Sequence, residues 1–99
     1  MRVILLEPGR DSRVRNIRHG IRELENMLGG PVEVTSPFGG GILLVRLRDQ
    51  TGQPVNRLIA GERVYGRCFL CGCSLHGISD FPEALTGQYC RSMDRCRLQ

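Results

Sequence analysis

Six side chains able to bind a soft metal or act as nucleophile and base crowd the second half of this 99-residue sequence: Cys68, Cys71, Cys73, His76, Cys90 and Cys96. Structural zinc needs four such ligands in a tetrahedron. Cys68-Phe69-Leu70-Cys71 has the two-residue gap of a zinc knuckle. A knuckle also needs a turn between its ligands, and Phe-Leu is strand-forming. In a strand Cys68 points to one face and Cys71 and Cys73 to the other. The set left to converge on zinc is then Cys71, Cys73, His76 and Cys90. The competing reading makes these thiols small buried hydrophobes, a common use of free cysteine, and it leads to the expectation of no cofactor and no metal site. Cys73 and His76 are local neighbours, but thiolate catalysis also needs a group to orient the base. No third residue is apparent, so no catalytic residue is assigned and an enzyme is not expected.

The other polar candidates are Asn56 and Arg57, in Pro54-Val55-Asn56-Arg57. A proline-led turn is expected to place both near the surface, where the guanidinium fork suits phosphate or carboxylate. The alternative is that Asn56 satisfies the turn's own backbone groups. Phe38-Gly39-Gly40-Gly41 would let backbone N–H groups approach an anion. It precedes a strand and the chain has no lysine, so it is no Walker-type loop.

All fourteen basic residues are arginine, and the net charge is +4. Between Pro8 and Arg22 lie Arg10, Arg13, Arg15, Arg18 and Arg22 against Asp11 alone, a net +4. The remainder holds nine arginines and nine acids. The whole excess therefore sits in one segment, which reads as a face for an acidic partner or anionic ligand, or as a merely solvated face. Nucleic acid is a second partner class for the same arginines. Against it, the aromatics are only Phe38, Tyr65, Phe69, Phe81 and Tyr89; the last three read as core, leaving a poor stacking surface.

The elements that must position these residues follow from periodicity. The length suits one domain with one core. Arg2 to Leu6 is an apolar run expected of a strand covered on both faces, closed by Glu7-Pro8-Gly9. The four apolar residues before Glu7 are too short for a signal-peptide core, and no run of about 18 apolar residues could span a membrane. The expectation is a cytoplasmic protein without membrane contact. An odd cysteine count in such a chain favours reduced thiols or metal over a disulfide framework.

Ile17, Ile21, Leu24 and Leu28 recur at helical spacing, with Gly20 inside and Gly29-Gly30-Pro31 as the stop. Val32 to Thr35 and Ile42 to Arg48 read as strands. Gln53 to Ile59 follows as a short or irregular strand, and Glu62 to Cys73 as a longer one broken at Gly66. Ser79 or Asp80 is expected to cap a last helix, with Asp80 and Glu83 at capping-box spacing, Pro82 in the first turn, and Phe81, Leu85, Tyr89 and Met93 on one face. The order β-α-β-β-β-α predicts a small α+β domain over residues 1–93, a mostly antiparallel sheet with two helices packed on it, and a frayed tail over 94–99.

The chain resembles family 3846 of the domains of unknown function, small proteins of phages, plasmids and bacteria. The carrying pieces are Val3-Ile4-Leu5-Leu6-Glu7-Pro8-Gly9, Leu28-Gly29-Gly30, Val32-Glu33-Val34 with Pro37-Phe38, Pro54-Val55-Asn56-Arg57, Ile59-Ala60-Gly61, Gly66 through Leu70, and Asp80-Phe81. The resemblance implies mobile-element origin. It also implies a binding, modulating or counter-defence role, directed at a host protein or small anionic ligand, rather than an enzyme.

Overall fold

Elements follow the chain as β1 (Arg2–Leu6), β2 (Arg13–Asn16), α1 (Ile21–Leu28), β3 (Val32–Thr35), β4 (Ile42–Leu47), β5 (Val55–Ile59), β6 (Glu62–Tyr65), β7 (Cys68–Ser74), β8 (Gly77–Ser79), a 3-10 turn (Glu83–Leu85) and α2 (Thr86–Arg95). The computed structural model describes residues 1–98. Its main sheet is antiparallel throughout, in the order β2-β1-β7-β4-β3, with β8 pairing the end of β7. The expected α+β architecture, a mostly antiparallel sheet with two helices, is what forms.

Both faces of this sheet are covered, which explains the nearly continuous apolar runs of β1, β4 and β7. One face carries Ile4, Leu6, Ile42, Leu44, Cys68 and Leu70 against Ile59, Val64, Phe81 and Met93. The other carries Val3, Leu5, Val45, Leu47, Phe69 and Cys71 against Leu24 and Leu28 of α1. The β5–β6 hairpin is a separate two-stranded sheet lying with α2 over the first face. Arg46 ties it down, reaching Glu33 on β3 and Glu62 on β6, both at 2.8 Å.

Several boundaries differ from those expected. The first helix starts at Ile21 rather than Ile17, because Gly20 precedes it at φ 131°, ψ 151°, where only glycine is at ease. Gly29 closes it at φ 95°, as the stop signal implied. Arg13–Asn16, read from the sequence only as part of the charged stretch, pairs with β1, whose backbone would otherwise be an open edge. Asp80 caps no helix: its carboxylate accepts the Arg2 N–H at 2.8 Å, while Phe81 donates its N–H to the Arg2 carbonyl. Phe81 thus lies outside any helix, Pro82 is extended at φ −59°, ψ 123°, and the regular helix begins at Thr86. The expected stripe of Phe81, Leu85, Tyr89 and Met93 still packs on one core.

The tail also departs from expectation. Residues 94–98 do not fray: α2 runs to Arg95, Leu58 donates to the Cys96 carbonyl at 3.0 Å, and Leu98 donates to the Asn56 carbonyl at 3.1 Å. An isolated antiparallel bridge sets Arg97 opposite Arg57, beside β5. Gln99 lies outside the described residues.

Candidate functional site

Asn56 and Arg57 are fully buried, contrary to the surface placement the proline-led turn suggested. A register shift in β5 between Val55 and Arg57 accompanies their consecutive burial. A guanidinium has five N–H donors, and here four make hydrogen bonds while the fifth is turned to a carboxylate. Nε donates to Met93 O at 2.9 Å; Nη1 donates to Glu7 O at 3.1 Å and to the Asn56 side-chain oxygen; Nη2 donates to Arg10 O at 2.6 Å and faces the Asp94 carboxylate at 3.5 Å. Asn56 in turn donates to Leu6 O at 2.9 Å and Gly66 O at 2.8 Å, and more weakly to the Cys68 sulfur at 3.8 Å.

The pair therefore forms an internal latch. It ties β5 to the end of β1, the turn after it, the link between β6 and β7, and the last turn of α2. A cation against the final carbonyls of α2 also suits the helix dipole. Burial pushes the Arg57 guanidinium below its ordinary value, but an arginine keeps its charge throughout the range where proteins fold. Burial pushes the Asp94 carboxyl up, yet its bonds from Ser12 and the neighbouring Arg57 outweigh that, and the net shift is downward.

The latch positions the arginine segment. Arg57 holds the carbonyl of Arg10; two residues on, the Ser12 N–H donates to Asp94 at 2.7 Å and its hydroxyl to Cys90 O at 3.2 Å. The chain then enters β2, whose four residues are all exposed. Arg13 and Arg15 stand opposite Leu5 and Val3, on the side of the sheet that α1 covers. Arg18 follows β2, and Arg22 lies in the first turn of α1; both are exposed. Arg13 pairs with Glu7. Arg10, Arg15, Arg18 and Arg22 make no ion pair among the described residues.

The cysteines divide as strand alternation requires. Cys68 lies in one core and Cys71 in the other. Burial pushes their thiols up, to about 12 and about 11. Cys73 is exposed, and Cys90 and Cys96 are half-buried. The set Cys71, Cys73, His76 and Cys90 does not converge: Cys71 packs on the α1 side of the sheet and Cys90 on the opposite side. Among the described residues, no group of three or more His, Cys, Asp or Glu side chains is placed to hold a metal.

The remaining candidates are surface features. Gly39, Gly40 and Gly41 all take left-handed φ, between 62° and 81°, in a solvent-facing turn. Two shallow grooves are present. One, of about 360 Å³, is lined by Glu25, Asn26, Gly29, Gly30 and Pro31. The other, of about 310 Å³, is lined by Val55, Arg63, Tyr65 and Leu98. Neither joins a nucleophile to a base. No described helix is long and apolar enough to cross a membrane.

Sequence reasoning missed Ser12, Asp94 and the carbonyls of Glu7, Arg10 and Met93 as parts of the latch, and β2 as an edge strand. The alternation of Arg13 and Arg15 around Val14 was the available signal for β2. A family model described as Domain of unknown function (DUF3846) matches residues 1–94. No curated protein and no solved structure gives a match.

Proposed function

This chain belongs to the family Domain of unknown function (DUF3846), and from that premise we propose that it works as a non-catalytic binding or modulator protein. Its contact face is the segment holding Arg10, Arg13, Arg15, Arg18 and Arg22, and its partner is an acidic surface of a host protein. One observation carries the reading. The chain's entire net charge, +4, lies between Pro8 and Arg22, a stretch that runs through the exposed edge strand β2 into α1, and among the described residues four of its five arginines make no ion pair. Guanidinium groups held this way favour carboxylates and give fast, salt-sensitive association.

Asn56 and Arg57 support this face from inside rather than touching the partner, since their donors are already engaged. Nucleic acid is the weaker partner class for these arginines. Phe38, Tyr89 and Phe81 pack edge-to-face at 5.4 and 5.3 Å, and Phe69 is buried. None of these is presented for base stacking.

The test is a salt titration of binding to polyglutamate and to arbitrary duplex DNA. The reading expects polyglutamate to bind, with affinity lost in the triple variant Arg15→Glu, Arg18→Glu, Arg22→Glu. Tighter binding to DNA, with a steep logarithmic salt slope, would replace it with the nucleic-acid reading.

A further inference from the structure

We propose that the partner adds to the sheet as an extended acidic strand along the free edge of β2; this rests on the arginine-face reading above and specifies its mode. The hydrogen-bond register shows which backbone groups are available. Ile17 and Met1 bond reciprocally, with Met1 N to Ile17 O at 2.6 Å and Ile17 N to Met1 O at 2.8 Å. Bonded and non-bonded pairs alternate along an antiparallel ladder. The pairs Arg15–Val3 and Arg13–Leu5 are therefore the bonded ones, while Val14 and Asn16 direct their N–H and C=O groups away from β1. Among the described residues nothing pairs with them: β2 ends the sheet order and all four of its residues are exposed.

An open edge of this kind is a template for another strand. Its side chains select the occupant. Arg13 and Arg15 stand on one side of the strand, while Val14, 43 % exposed, stands on the other between them. The matching segment alternates acidic, apolar, acidic, with carboxylates opposite the arginines. A second copy of this chain would bring arginine rows together, and like charges directly opposite destabilise a ladder. A phosphodiester backbone offers acceptors only, so it leaves the Val14 and Asn16 carbonyls without donors. The charges that keep two copies apart thus make the edge selective for an acidic strand.

The probe is a fluorescently labelled heptapeptide alternating glutamate and valine, compared by anisotropy with the same peptide N-methylated at its valines. The methylated peptide keeps its charge but cannot donate to the Val14 carbonyl. The proposal expects at least tenfold weaker binding of the methylated form. It expects a similar loss for Val14→Pro, which removes an outward N–H that β1 does not use, a position where an edge strand tolerates proline. Equal affinity for both peptides overturns strand addition while leaving the arginine face intact. If neither peptide binds, or if binding survives Arg15→Glu with Arg18→Glu, the arginine face fails as well. Dimerisation through the edge, detected by light scattering and abolished in Val14→Pro, also overturns the proposal.

Discussion

Arg57→Met replaces a buried guanidinium with an apolar chain of similar length, and its cost can be worked from the contacts it removes. The acceptors at Met93, Glu7, Arg10 and Asn56 lose donors at 2.6–3.1 Å or closer, and Asp94 loses its internal cation. Each buried polar group left without a partner costs about 1–3 kcal/mol. Removing one member of a buried charged network costs roughly 3–5 kcal/mol. The contacts overlap and some carbonyls will recruit water, so the lower figure is the appropriate total, about 3–5 kcal/mol. Domains of this size unfold at a cost of about 5–15 kcal/mol, so a third of the margin or more disappears unless the domain is at the top of that range. With an unfolding entropy near 2.1 cal/mol/K per residue, the loss corresponds to a Tm drop of roughly 15–25 °C. Urea denaturation followed by far-UV circular dichroism, together with calorimetry, reads both quantities. A change below about 1 kcal/mol would refute the latch and return Arg57 to the pool of ligand-binding residues.

The turn between β5 and β6 holds Ala60 at φ 50° and Gly61 at φ 81°. Ala60→Asn, better suited to that region, should stabilise by about 0.5–1 kcal/mol in the same denaturation assay. Gly72→Ala should do the reverse: its Cβ would lie 2.2 Å from the Asp80 carbonyl oxygen, and forcing β8 aside should cost roughly 2–4 kcal/mol. A chromogenic aromatic disulfide should label Cys73 at once, Cys90 and Cys96 more slowly, and Cys68 and Cys71 only on unfolding; rapid labelling of all five would contradict the sheet assignment. The two buried thiols also predict an alkaline limit. Their folded values, about 12 and about 11, stand above the ordinary cysteine value near 8.5. A group raised on folding contributes stability that is complete below its unfolded value and lost as pH rises through its folded one. Urea midpoints should therefore fall steadily from about pH 9 upward, and a flat profile to pH 11 would contradict this.

The sheet's centre was legible because burial on two faces writes itself into β1, β4 and β7 as continuous apolar runs. The stop at Gly29 and the stripe from Phe81 to Met93 were legible for equally local reasons. β2 was not: a four-residue edge strand with only Val14 apolar gives almost no pattern, and its charges resemble a solvated helix approach. The fate of Arg57 was illegible in a deeper sense. Whether an arginine is a ligand site or an internal strut depends on carbonyls 36, 47 and 50 residues away in sequence, and only the fold brings these to it. The tail was misjudged for the same reason, since Cys96 and Leu98 gain backbone partners from β5 that no terminal sequence announces.

The most direct measurement is amide mapping of the uniformly ¹⁵N-labelled protein by NMR, with and without the acidic heptapeptide. Binding at the arginine edge predicts shift changes confined to residues 10–22 and slowed hydrogen exchange at the Val14 and Asn16 amides, both lost in Arg15→Glu with Arg18→Glu. Shifts centred on the Tyr65–Leu98 groove, or unchanged exchange at Val14 and Asn16 under saturating peptide, would contradict it.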